Sequence, residues 1–211
     1  MPYSPEKNCD RCPRLVDFRQ SNRIKFSNWH NAPVESFGPI DAALLIVGLA
    51  PGLRGANKTS RPFTGDAAGV LLYGTLRKFL FASGTYDERA DDGLTLRNCR
   101  ITNAVRCVPP QNKPITSEVV ACSKFLQDEL AKLQDLQVVL ALGTLAHYAI
   151  LRSLGYAQSS VKFSHGAIHK LPTGYFLADS YHCSRYNTNT GRLTKPMFED
   201  VFASIRHLID S

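Results

Sequence analysis

Apolar and polar positions follow one another along the chain in blocks that read in turn as strands and helices. Residues 42–49 (AALLIVGL) form a short apolar run that passes into glycine and proline, the pattern of a buried strand entering a loop. Over 66–83, Val70, Leu71, Leu72, Leu76, Phe79 and Leu80 populate one broad side, which predicts a helix. A second strand is expected at 100–105 (RITNAV) and a second helix at 116–133, capped by Thr116 or Ser117. The run 137–142 (QVVLAL) predicts a third strand, with a helix over 144–154 behind it. A fourth strand is expected at 175–178 (YFLA) and a last helix at 194–209. Alternating strands and helices imply an α/β fold with a parallel sheet covered on both faces. Functional loops then lie at the carboxyl ends of the strands, here after residues 49, 105, 142 and 178.

No repeat, low-complexity tract or linker divides the 211 residues, so one domain is expected. Hydrophobic residues make up 44% and charged residues 20%, as in an ordinary globular protein. No apolar run is long enough to span a bilayer and the N-terminus lacks a signal-peptide core, so a cytoplasmic protein without a membrane partner is expected. The formal charge of +7 favours a polyanionic partner, and its placement sharpens the point. Segment 52–61 (GLRGANKTSR) holds Arg54, Lys58 and Arg61 with no acid, and segment 184–195 (SRYNTNTGRLTK) holds Arg185, Arg192 and Lys195 with none.

Cysteine usage adds candidate chemistry. Cys9 and Cys12 form a C-x-x-C pair, and Cys107 and Cys122 lie far downstream. In a reducing compartment such a set points to metal before disulfides. Two thiolates from one turn and two more complete a four-sulfur site, for which iron–sulfur and zinc are both open; a disulfide or chance pairing is the plain alternative. Cys99, at a strand start, reads as a buried filler, and nothing beside Cys183 indicates thiolate chemistry.

The loop 48–66 (GLAPGLRGANKTSRPFTGD) is glycine-rich, with Gly48, Gly52 and Gly55 permitting close backbone approach to a ligand and Pro51 fixing the turn. It is not a phosphate-binding P-loop, because Asn57 stands where that motif requires glycine, and no dinucleotide fingerprint is present. It offers an aromatic plate in Phe63 and a carboxylate in Asp66; the plain alternative, equally weighted, is that Asp66 only caps the next helix. The loop 179–194 (DSYHCSRYNTNTGRLT) places His182 directly after the fourth strand, among basic, amide and hydroxyl groups suited to a phosphate backbone. His165 and His169 have an H-x-x-x-H spacing, but Gly166 and Pro172 beside them speak against a helical metal site.

Together these segments resemble the uracil-DNA glycosylase superfamily, and most of all its family 5, also called type b. The resemblance runs from Cys9 to about Lys195. GLAPG at 48–52 leading into RPFTGD at 61–66 is similar to the family's first active-site motif. TNAVRC at 102–107 followed by PPQNKP is similar to the segment carrying its third cluster cysteine, and SYHCSRYNTNTGRLT at 180–194 to its final motif. The resemblance implies a three-layer α/β/α fold around a four-stranded parallel sheet, and a structural [4Fe–4S] cluster on Cys9, Cys12, Cys107 and Cys122 in place of zinc. The expected organisation is a single monomeric domain over 1–211, whose helical segment 1–35 contributes cluster ligands. Several branches of the superfamily carry an acid in the first loop, whereas positions 49 and 50 here are Leu and Ala, as in family 5. The carboxylate must come from elsewhere, and Asp66 is the nearest.

The implied reaction is hydrolysis of the N-glycosidic bond of uracil, and of hypoxanthine or other deaminated bases, in DNA. Gly48, Ala50, Gly52, Phe63 and Asn103 are the expected base-binding residues, with Phe63 stacking on the extruded base. Asp66, Asn103 and His182 are the expected catalytic residues, and Arg54, Lys58, Arg185 and Arg192 the expected DNA contacts. A damage sensor that binds without cutting and an iron–sulfur electron carrier are the rival functions.

Overall fold

The computed structural model describes residues 4–211; the first three residues of the expected 1–35 segment lie outside it. The elements run α1 (Pro13–Lys25), β1 (Leu44–Gly48), α2 (Ala56–Thr59), α3 (Ala67–Lys78), β2 (Ala82–Ser83), β3 (Thr95–Leu96), β4 (Cys99–Asn103), α4 (Thr116–Lys132), β5 (Val138–Leu142), α5 (Thr144–Ser153), β6 (Ile168–Lys170), β7 (Phe176–Ser180), α6 (Arg185–Asn189) and α7 (Lys195–Asp210).

The main sheet has the order β4-β1-β5-β7-β6. Its first four strands are parallel, with Leu44 opposite Cys99 and Val138, and Val138 opposite Phe176. These are the four expected strands. A fifth, β6, adds antiparallel at the edge, pairing Ile168 with Ala178, so the sheet is mixed and not four-stranded. Successive side chains on a strand point to opposite faces, and the core divides accordingly. Leu44, Ile46, Val138, Leu140 and Ala178 pack against Leu72 and Leu76 of α3 and Phe198, Phe202 and Ile205 of α7. Leu45, Val47, Val139, Ala141 and Leu177 pack against Leu126 and Leu130 of α4 and Ala146 and Ile150 of α5. Three α/β/α layers result.

Two local expectations are corrected. α4 is not capped by Thr116 or Ser117: its N-cap is Ile115, whose N–H donates to the Glu118 carboxylate at 2.9 Å, so the acid one turn inside satisfies the helix end. α3 stops at Lys78, because Leu80 takes a left-handed backbone (φ 61°) and is exposed, as is Val70, leaving a narrower buried side than expected. Cys99 is a buried core residue of β4, as expected.

A buried ion network ties β4 to α4. Arg100 Nε and Arg106 Nη2 each reach a different oxygen of Glu129 at 2.6 Å, and Arg106 Nη1 donates to Ser36 Oγ at 2.6 Å. The N-terminal segment docks on the far end of α4, where Leu15 of α1 joins Val105, Cys122 and Phe125 in a third apolar cluster. Among the described residues no helix is long and apolar enough to cross a membrane.

Candidate active site

β1 feeds Leu49 at its carboxyl end, and the chain turns outward to β4 on one side while β5 leads to β7 on the other. Such a switch point is where open α/β sheets hold ligands. A pocket of about 260 Å³ opens there, lined by Leu49, Ala50, Pro51, Gly52, Ala56, Phe63, Asp66, Ala68, Asn103, Asn112 and His182. The three motif loops therefore converge on one cavity. Gly48 does not line it but makes it possible: a Cβ there would sit 2.5 Å from Asn103 Oδ1 and 2.6 Å from Phe63 Cζ. Its missing side chain is space for two protein groups that line the pocket.

Phe63 occupies that space in a strained left-handed backbone (φ 52°). The strain is held from behind. The Tyr73 hydroxyl donates to the Pro62 carbonyl at 2.6 Å, and the Tyr86 hydroxyl to the Phe63 carbonyl at 3.1 Å. Arg61 donates through Nε to Thr64 Oγ1 at 2.8 Å and through both terminal nitrogens to Asp92, at 2.8 and 2.7 Å. The Arg61 guanidinium also lies over the rings of Phe37, Tyr73 and Tyr86. That hydrogen bond from Arg61 holds the Asp92 carboxyl well below the usual carboxylate range. Arg61 is thus a buried scaffold residue, not part of a free basic surface.

Asp66 is the N-cap of α3, Oδ1 accepting from the N–H groups of Ala68 and Gly69 at 3.1 and 3.2 Å. The cap does not take Asp66 out of the pocket, which it lines, and Oδ2 faces the Gly52–Gly55 turn, where a Cβ on Gly55 would collide with it. Asn103, the last residue of β4, is 3% exposed and its amide has no hydrogen-bond partner among the described residues, so it is free to pair within the pocket. The His182 ring lies 5.9 Å from that of Phe63, tilted by 29°. Its Nδ1 is buried without a partner among the described residues. Burial pushes the imidazole pKa below the ordinary value, outweighing the opposing pull of Asp66. Asn187 of α6 fixes the backbone beneath it, donating from Nδ2 to the His182 carbonyl at 2.8 Å.

Arg54, Lys58, Arg185 and Arg192 are exposed, outside the pocket, and none forms an ion pair among the described residues. Arg192 stacks on Tyr181, 4.7 Å from the ring centre, and Lys58 lies 5.9 Å from that of Trp29.

A family model of the uracil DNA glycosylase superfamily matches residues 35–206. The chain belongs to that superfamily. It is 42% identical to a type-5 uracil-DNA glycosylase of Thermus thermophilus, over 95% of this chain and 93% of the relative. It is 39% identical to type-5 uracil-DNA glycosylases of Pyrobaculum aerophilum, over 92% of this chain and 86% of that one, and of Mycobacterium leprae, over 95% and 91%. A type-4 uracil-DNA glycosylase of Pyrobaculum aerophilum is 31% identical over 71% of this chain and 62% of its own.

Away from the pocket, Cys9 and Cys12 before α1, Cys107 after β4 and Cys122 on α4 border one small cavity with Leu15, Arg19, Val105 and Phe125. Among the described residues no group of three or more His, Cys, Asp or Glu side chains is placed to hold a metal ion as it stands. Burial raises the thiol of Cys12 to about 11 and of Cys107 to about 12, with neighbouring cysteines adding to the rise. Four thiolates can share this space only with cations to balance them. Cys183 is buried, and burial keeps its thiol protonated. His165 and His169 do not pair as ligands: His165 Nδ1 accepts from the Tyr181 N–H at 3.1 Å, while His169 faces Asp179.

Three groups of residues went unread from sequence. Asn112 lines the pocket and accepts from the Leu53 N–H at 3.2 Å; its left-handed backbone is common for asparagine, yet nothing local aims it at the pocket. Tyr73 and Tyr86 hold the Phe63 segment through backbone carbonyls, and Asp92 holds it through the Arg61 side chain, roles with no local signature in the sequence. The buried His147–Asp179 pair, 2.7 Å apart, lies on α5 and β7, which meet only in the fold.

Proposed function

We propose that this protein is a uracil-DNA glycosylase that hydrolyses the N-glycosidic bond of uracil in DNA and leaves an abasic site. The observation that carries this reading is the convergence of Phe63, Asp66, Asn103 and His182 on one pocket at the sheet's switch point, in a chain of this superfamily. A base inside a duplex cannot reach such a pocket and must be flipped out, at a cost of a few kcal/mol that is lower at a U·G mismatch. Phe63 stacks on the extruded base, and the Asn103 amide pairs with its edge. His182, kept neutral by burial, donates a hydrogen bond to the base as negative charge builds on it; one such donor is worth about 3 kcal/mol. Asp66 Oδ2 orients the attacking water and favours the cationic sugar. Arg54, Lys58, Arg185 and Arg192 meet DNA phosphates.

The four cysteines suit an iron–sulfur cluster. Four cysteines bordering one cavity supply the four thiolates that such a cluster needs, and the likeness to type-5 relatives favours it over zinc. When bound, the cluster supplies cross-linking and no step of the hydrolysis: Cys9 and Cys12 would be joined through it to the 107–122 segment. The chain then works as a single, monomeric, cytoplasmic domain with an N-terminal segment stapled to α4.

The test is a duplex with one U·G pair, incubated with protein and then treated with alkali. Cleavage at the marked site is expected, and a His182→Ala variant should be slower by about a hundredfold or more with DNA binding retained. Binding without cleavage would instead identify a damage sensor. A parallel panel of hypoxanthine and xanthine duplexes fixes the range of bases.

A further inference from the structure

Four arginines are buried among the described residues, and three of them face a carboxylate: Arg61 faces Asp92, and Arg100 and Arg106 share Glu129. The fourth does not. Arg19, on α1, is 4% exposed and has no acidic partner among the described residues. Its Nη2 donates to the Cys9 carbonyl at 2.7 Å, its Nη1 approaches Cys107 Sγ at 3.6 Å, and its Nε is buried with no partner among the described residues. A guanidinium cannot shed its proton to escape burial. An uncompensated buried charge is strongly unfavourable, so the fold must supply a negative group that the protein's own acids do not. What Arg19 does face is the cavity bordered by the four cysteines.

We propose that Arg19 is the counter-charge of the four-cysteine centre, and that its positive charge sets how firmly the cluster is held and how readily it is reduced. This rests on the iron–sulfur reading above. A cubane core on four thiolates is a net anion, and adding an electron deepens that charge. A fixed cation beside it favours retention and also the reduced form. The hydrogen bond to Cys107 Sγ draws density from one ligand sulfur, and Nε offers a donor that no protein acceptor uses; hydrogen bonds to ligand sulfurs raise a cluster's potential. α1 contributes Arg19 and the chain just before it contributes Cys9 and Cys12, so cation and ligands arrive on one short piece of chain. Nothing in base excision requires this pairing, which is why it is independent of the active pocket.

The experiment compares wild type, R19Q and R19K, all purified without oxygen. Iron and acid-labile sulfide per chain, the decay of absorbance near ~400 nm under a chelator in air, and the reduction potential are measured. The R19Q cluster is expected to bleach at least about tenfold faster and to be reduced at a more negative potential, with R19K between it and wild type. R19Q identical to wild type in both rate and potential overturns the role of Arg19 while leaving the cluster standing. A wild-type protein that is free of iron removes the cluster itself, and the two failures are thereby told apart. Should R19Q not fold even after reconstitution, R19M, which also removes the charge but keeps an apolar stem in the cavity, carries the test: an unchanged rate and potential in that folded variant overturns the proposal. A residue that only packed α1 would change stability without moving the potential.

Discussion

The Tyr86 hydroxyl, carried on the segment between β2 and β3, donates to the carbonyl oxygen of Phe63 at 3.1 Å. That bond reaches a residue whose backbone is strained, and whose ring must stay where a flipped base can stack on it. Tyr86→Phe keeps the ring and removes only the donor. The Phe63 carbonyl is then left short of a partner, and the backbone is freer to relax toward negative φ. kcat/KM on a U·G duplex should fall by about tenfold, the equivalent of one such hydrogen bond, with the rise in KM dominating. An unchanged KM would show that Phe63 holds its position unaided.

Asp66 serves α3 with one oxygen and the pocket with the other. Asp66→Asn separates the two tasks, since an amide oxygen still caps a helix while the charge is lost. Melting temperature should hold nearly constant while kcat falls by about a hundredfold. Asp66→Ala should lose the same activity and also about 1 kcal/mol of stability. Equal activity in Asp66→Asn and wild type would leave Asp66 as a cap alone.

How much of this was readable beforehand differs by element. β1 and β5 are buried along their whole length and show as apolar runs, and β7 opens with one, so they were legible, as were α3, α4 and α5 between them. β6 was not, because Ile168–Lys170 is three residues long and mostly exposed; it is a strand only because β7 offers it an edge. The α4 cap was missed because Glu118 supplies it from inside the helix. In the site, Phe63, Asp66 and His182 stand in motifs of distinctive composition. The clamp behind Phe63 comes from residues 73, 86 and 92, which meet 61–64 only after folding, the two tyrosines at backbone carbonyls and Asp92 at the Arg61 side chain. Arg61 was read as a surface cation because sequence does not reveal that Asp92, far along the chain, takes both its terminal nitrogens.

Gly48 is a packing constraint with a functional readout. A Cβ there would press on both Asn103 and Phe63, so Gly48→Ala must move one or the other. Both belong to the pocket, and misplacement by a fraction of an ångström is costly to an oriented reaction. Overpacking should cost about 1–3 kcal/mol in stability, and activity should fall by at least about tenfold. Activity at the wild-type level would mean that neither ring nor amide needs its present place.

Arg54, Lys58, Arg185 and Arg192 are proposed to contact phosphates, and counterion release makes that claim quantitative. Removing one such charge should lower the slope of log K against log salt by about one. The four alanine variants should each weaken binding to damaged and undamaged duplex alike. Arg192 is the informative member, since it also stacks on Tyr181. A variant with an unaltered salt slope is not a phosphate contact, whatever its affinity.

His147 and Asp179 make stability depend on pH in a stated direction. His147 Nδ1 lies 2.7 Å from Asp179 Oδ1 and Nε2 lies 3.1 Å from the Val161 carbonyl oxygen, so both ring nitrogens face acceptors, an arrangement that suits the doubly protonated ring. Burial disfavours the charged ring, but the hydrogen bond and charge of Asp179 outweigh it and raise the pKa above the ordinary value. A histidine whose folded pKa is raised contributes stability that is fully present below its unfolded value of about 6.5 and is lost as pH rises through the folded one. The melting temperature of wild type should therefore exceed that of His147→Gln by more at about pH 6 than at about pH 9. Asp179 sits three residues before His182 on the strand that delivers it, so loosening this pair should also disturb the catalytic loop. A gap between the two proteins that stayed constant from acid to alkali would mean that the ring is neutral throughout, and that the pair is held by an ordinary hydrogen bond.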